Sequence, residues 1–170
     1  MAHHKHNEVR IAYDGCCGYC GVRDEDTGGE FTVDHFVPTS QGGDDAVENL
    51  VYCCFRCNLY KADFHPNDVD QANGHVLIHP LRPDRAIHVL MKHREGRLDP
   101  LTETGRFHIA LLHLNRPALV AYRLQKRLIE LRDARRLLLV EENRELQAII
   151  AAQQTYIRRL ERLLDSGSSE

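Results

Sequence analysis

The spacing of apolar positions changes along the 170-residue chain, and the changes divide it. From Ala118 to Ser166 runs a stretch of 49 residues without Gly or Pro, rich in Leu, Arg, Glu, Ala and Gln. Such a stretch predicts a helix. Asn115 offers a cap, and Pro117 stands where a first-turn proline is tolerated. Unbroken, the helix would run roughly 70 Å at about 1.5 Å per residue. Its apolar stripe comes in two parts. Val120, Leu124, Leu128, Leu131 and Leu138 keep three-and-four spacing with Arg135 interrupting, and Leu146, Ile149 or Ile150, Gln153, Ile157, Leu160 and Leu164 resume it. The polar run Glu141-Glu142-Asn143-Arg144-Glu145 between them reads either as a coiled-coil stutter or as the corner of a helical hairpin. A seam of this length has to be covered, by the chain's own globular part, by a partner helix or by a second copy in a homodimer through residues 118–164.

Shorter periods precede it. Phe31–Pro38 alternates as a strand ending in Asp34-His35, Leu50-Val51 follows Glu48-Asn49, and Asn58-Leu59-Tyr60-Lys61 reads as the first turn of a helix. Further on, His75–His79 and Ala86–Met91 are expected as strands of a small hairpin. Thr102 or Thr104 would cap a following helix whose face is Phe107, Ala110, Leu111 and Leu114. The expected class is α+β, with a core over residues 1–64, a hairpin-helix extension over 65–116, a coiled-coil-like tail over 117–165 and a disordered end at 166–170.

Composition fits an ordinary folded chain, and no apolar run approaches the roughly 18 residues that a membrane span requires. The start, Met1-Ala2-His3-His4-Lys5-His6, lacks the apolar stretch of a secretory signal. The six cysteines are therefore expected in a reducing, cytoplasmic setting, where metal ligation is favoured over disulfides. The net charge of -3 conceals a division: residues 1–74 carry -8 and residues 75–170 carry +5.

The cysteines all lie in the acidic section. Cys17-Gly18-Tyr19-Cys20 and Cys54-Phe55-Arg56-Cys57 are two C-x2-C knuckles separated by 33 residues, enough to present four thiolates to one structural zinc ion. Adjacent Cys16 and Cys53 leave a less usual C-x3-C register open. Between the knuckles, strand alternation sends Asp34 and His35 to opposite sides. Asp34 and Asn58 offer oxygen donors suited to Mg²⁺ or Mn²⁺, and a neutral His35 can act as a general base.

These residues, in this order, resemble the HNH endonucleases of the zinc-stapled ββα-metal branch. The shared pattern is C-x2-C, a strand ending in Asp34-His35, the loop Pro38-Thr39-Ser40-Gln41-Gly42-Gly43, then Asn49-Leu50-Val51, and C-x2-C followed by Asn58-x2-Lys61. The stretch from His79 to Pro117 is similar, more loosely, to the extension of small stand-alone bacterial members. The resemblance implies that His35 activates water against a DNA phosphodiester, that Asp34 and Asn58 hold one catalytic metal ion, that Asn49 pins the catalytic loop, and that Lys61 is aimed at the phosphate. It also implies products ending in 5′-phosphate and 3′-hydroxyl.

An acidic motif segment repels a polyanion, so a grip on DNA would have to come from elsewhere. Arg116, Arg123, Lys126, Arg127, Arg132, Arg135 and Arg136 are the candidates, against only Glu130 and Asp133 in that stretch. The other class of function left open is a non-catalytic, zinc-stapled scaffold that binds nucleic acid or assembles through its helical tail.

Overall fold

The computed structural model describes residues 3–167. Helices α1 (His6–Ala12) and α2 (Asp24–Thr27) precede strand β1 (Thr32–His35), and β2 (Leu50–Cys53) pairs with it antiparallel in the register Thr32↔Cys53 to His35↔Leu50. Helix α3 (Phe55–Lys61) follows β2 after one residue and packs against β1. Every side chain of β2 is buried. Gly18 comes so near this strand that a Cβ there would lie 2.8 Å from Val51 Cγ1, so only glycine lets the first knuckle close over it. Asp24 ties the other elements down: it takes Arg10 Nε at 2.6 Å and Tyr52 Oη at 2.8 Å, joining α1, α2 and β2.

The extension holds α4 (Asp68–Ala72), α5 (Arg85–His88), the hairpin β3 (Val89–Lys92) and β4 (Arg97–Pro100), and α6 (Glu103–Leu111). Three sequence expectations need correction here. His75–His79 is irregular rather than a strand, because buried Leu77 and Ile78 pack without a neighbouring strand and the Ile78 amide donates to His108 Nδ1 at 3.3 Å. Ala86–His88 is a helical turn, so only the end of the second expected strand is extended, and the hairpin pairs 89–92 with 97–100 instead of with 75–79. Thr102 does cap α6, accepting from the Gly105 amide at 3.1 Å. Of the expected face, Leu114 is buried just beyond the helix, and Phe107 and Leu111 are half-buried, but Ala110 is exposed and the buried residues within α6 are Gly105 and His108. Gly105 decides that rotation, since a Cβ there would lie 1.9 Å from the His88 carbonyl oxygen.

The final helix, α7 (Pro117–Gly167), is continuous, so the polar run 141–145 is not a hairpin corner. Asn115 does not cap it. Its amide instead clamps β4, donating to the Leu98 carbonyl at 2.7 Å and accepting from the Leu98 amide at 2.8 Å. Of the expected disordered end, Ser166 and Gly167 continue the helix and 168–170 lie outside the described residues. The chain divides into two compact units, Met1–Gln125 and Lys126–Glu170. In the first, Leu119 is buried; in the second, every side chain from 127 to 162 is exposed. Among the described residues, no helix is long and apolar enough to cross a membrane.

Candidate functional site

Cys17 and Cys20 sit in the tight turn after Cys16, Cys54 is the residue before α3, and Cys57 lies in the first turn of α3. Their sulfurs all fall within 4.8 Å of one another, with Cys20 and Cys54 at 3.9 Å. A tetrahedral zinc ion with bonds of about 2.3 Å sets its sulfurs just under 4 Å apart, so this set fits structural zinc with no open position. The alternative register is excluded: Cys16 Sγ donates to the Asp14 carbonyl at 3.5 Å, and Cys53 is a core residue of β2.

Four thiolates around one Zn²⁺ carry an excess of negative charge, and arginines answer it. Arg116 directs Nη2 toward Cys57 Sγ at 3.9 Å, lies over the Tyr60 ring and donates to the Leu112 and His113 carbonyls. Arg85 is held below the usual arginine range by burial, with the pull of Cys20 and Cys17 acting the other way. Arg123 reaches the carbonyls of Gly96 and Leu114. Two of the seven residues expected to grip nucleic acid, Arg116 and Arg123, therefore face inward. Arg127 pairs with Glu130 and Arg132 with Asp133, while Arg135 and Arg136 are exposed on α7 with Lys126 preceding them.

The strand alternation of β1 turns Asp34 inward and leaves His35 half-buried. Asp34 accepts from Tyr19 Oη at 2.6 Å and lies 3.2 Å from Lys61 Nζ. Burial nevertheless raises the Asp34 pKa above the carboxylate norm, outweighing Lys61 and Tyr19. Lys61, almost wholly buried, also donates to the His35 carbonyl at 2.7 Å and the Ala62 carbonyl at 3.4 Å. All three hydrogens of its ammonium thus have acceptors inside the protein. Asn58 lies one turn earlier on α3, half-buried.

Asn49 binds the loop after β1 from three directions: Oδ1 accepts from the Val37 amide at 2.8 Å, and Nδ2 donates to the carbonyls of Val37 at 3.1 Å and Asp44 at 2.8 Å. Gly43 is obligatory in that loop, because a Cβ would lie 1.8 Å from the Val37 carbonyl oxygen. The folded loop returns Asp45 to β1, where Asp45 Oδ1 lies 2.7 Å from His35 Nε2. That hydrogen bond, first among the causes, holds the Asp45 carboxyl below the usual range. An ionised carboxylate only accepts, so Nε2 carries the proton and a neutral His35 presents its lone pair at Nδ1. His3 Nε2 lies 3.4 Å from the same oxygen, and Lys5 Nζ donates to the Asp45 backbone carbonyl at 2.8 Å. Asp45 was absent from the sequence expectations; the one signal for it is an acidic pair directly after Gly42-Gly43, ten residues beyond His35.

Tests of the cation donors give unequal results. The four cysteines form a closed shell, whereas Asp34 and Asn58 supply two oxygens and Asp34 is already paired with Lys61. Two oxygens of this kind are donors that a hard ion such as Mg²⁺ takes when water and substrate oxygens fill its other positions, and they do not form a cage. Compared with protein-family models, residues 17–64 match the one described as HNH endonuclease. No curated protein and no solved structure matches the chain.

Proposed function

We propose that this chain, whose residues 17–64 match the HNH endonuclease family, is a metal-dependent nuclease that hydrolyses DNA phosphodiester bonds. The observation that carries the reading is the 2.7 Å contact between His35 Nε2 and Asp45. It fixes the tautomer and the ring direction of the one histidine that the family pattern assigns as base, leaving Nδ1 to accept a proton. In the proposed reaction, a water oxygen attacks phosphorus as its proton passes to His35 Nδ1. The bond from phosphorus to the 3′-oxygen breaks, and that oxygen leaves as a hydroxyl after taking a proton from solvent. Asn49 acts by position, holding the loop that carries Asp45 against His35.

Asp34 and Asn58 would hold the catalytic Mg²⁺ or Mn²⁺, which supplies charge stabilisation at the phosphate and the leaving oxygen. Lys61 supports this set from behind by offsetting the buried Asp34 charge and bonding the His35 carbonyl; it acts on the backbone of the base rather than on phosphate. The exposed basic residues Arg127, Arg132, Arg135 and Arg136, with half-buried Lys126 before them, are the proposed phosphate contacts.

Plasmid nicking with Mg²⁺ or Mn²⁺ tests the reading. Wild type should convert supercoiled plasmid, chelator should stop it, and His35→Ala should lower the rate at least about a hundredfold. One observation favours the scaffold reading instead: Asp34 is closed off by Tyr19 and Lys61. Equal inactivity of wild type and His35→Ala across Mg²⁺, Mn²⁺ and Ca²⁺, with the chain still folded, would decide for the scaffold.

A further inference from the structure

Between residues 127 and 162, α7 presents an apolar face that none of the described residues covers. Leu128 is 68% exposed, Leu131 49%, Leu138 68%, Leu139 47%, Leu146 56% and Ile149 54%. At about 100° per residue, these positions fall within roughly 50° of one line along the helix. The stripe runs straight because the eleven-residue step from Leu138 to Ile149 fits a helix with 3.6 residues per turn better than strict heptads do. Two charged residues stand on the same line, Arg135 and Glu142. In a parallel pair of identical helices, arginine would meet arginine and glutamate would meet glutamate inside the seam.

Reversing one helix removes both conflicts. About a two-fold axis between Leu138 and Leu139, Arg135 of one copy falls opposite Glu142 of the other, and Glu142 opposite Arg135. The same reversal sets Leu131 against Leu146 and Leu128 against Ile149. The flanks agree in sign. Residues 126–136 hold five basic and two acidic side chains, residues 141–145 hold three acidic and one basic, and the reversal lays one run along the other.

We infer that α7 pairs antiparallel with α7 of a second copy of this chain, through Leu128–Ile149, about an axis between Leu138 and Leu139. The occupant is a second copy because the polar interruptions of the seam complement their own reversed image. The paired segment spans about 33 Å, close to three heptads, which is enough for a specific two-helix contact. This arrangement gives Arg135 a partner within the seam and removes it from the residues facing nucleic acid. It does not depend on the nuclease reading.

Light scattering and sedimentation on the full chain with Arg135→Glu, Glu142→Arg and the swap carrying both test the inference. Wild type should have twice the 19.5 kDa chain mass. Each single reversal sets like charges together in the reversed register and should raise the dimer dissociation constant at least about tenfold. The swap should restore the dimer, as should mixing the two single variants. A monomeric wild type would overturn the inference. So would a dimer that the single reversals leave unchanged, since a parallel pair meets like charges before and after each one. Circular dichroism should give the same helix content in all four proteins; a single reversal that loses helix and is not rescued by the swap also counts against it.

Discussion

The segment 17–64 and the second unit of α7 handle polar groups in opposite ways. In the first, polar side chains face inward to partners: Lys61 has three acceptors, Asn49 three loop bonds, and Asp34 both Tyr19 and Lys61. In the second, every side chain from 127 to 162 meets solvent, and even the leucines lack cover. The first region is small, and a four-cysteine cluster suited to one zinc ion joins a few fully buried side chains at its centre. The second has regular hydrogen bonding along its length but no apolar burial, so association is what would stabilise it. One is complete within the chain, and the other is the proposed half of an interface.

Removal of zinc should break the comparison most severely. A strong chelator, or Cys57→Ser, should unfold the first region, because binding energy at a four-cysteine site is folding energy of order 10 kcal/mol. Near-ultraviolet circular dichroism and amide exchange would report loss of the β1–β2 core, while far-ultraviolet signal from the second unit of α7 should persist. Loss of both together would mean that the helix depends on the core.

Matched leucine truncations sharpen it next. Leu50 is fully buried, so Leu50→Ala should cost about 2–5 kcal/mol in chemical denaturation. Leu146 is 56% exposed, so Leu146→Ala should cost the monomer under about 0.5 kcal/mol while weakening the antiparallel dimer. If the two cost the same at low concentration, the regions do not differ as described.

Acidity has a smaller effect than the loss of zinc or of a core leucine, and it acts through His108 in the first unit. His108 is buried, and burial, with the nearby charges of Arg85 and His88, lowers its pKa to about 3. The unfolded chain therefore binds a proton near pH 6.5 that the folded protein refuses, so this contribution to stability is complete above pH 6.5 and declines as pH falls toward 3. Between pH 6.5 and 5 the loss should be roughly 1–2 kcal/mol. Asp24, held down to about 2 by Arg10 and Tyr52, adds to the same trend only below about pH 4. Thermal melts at both pH values would reveal it, and a flat profile would contradict it.

The sequence exposes those parts of the fold in which neighbouring residues act as a group. Cysteine spacing, the alternation through Asp34-His35 and the absence of Gly and Pro in α7 all depend on a few adjacent positions. What it hides depends on how distant segments meet. Nothing in His75–His79 says that Ile78 will donate to the His108 ring rather than to a strand. Helical spacing places Lys61 one turn past Asn58 but does not say that its ammonium turns inward to Asp34. Arg116 reads as surface charge until Cys57 is seen beside it. Asp45 reaches His35 only because Gly43 and Asn49 fold the loop back.

That last contact bears on how such a chain could change over evolutionary time. The tautomer and ring direction of the proposed base are set by a residue outside the pattern by which the segment is recognised. On the proposed reaction, a lineage could therefore silence its chemistry by one replacement at Asp45, leaving every cysteine, Asp34, His35, Asn49, Asn58 and Lys61 intact. Two descendants with identical signatures would then differ in that contact alone, and the loop would hold the record of which one kept it.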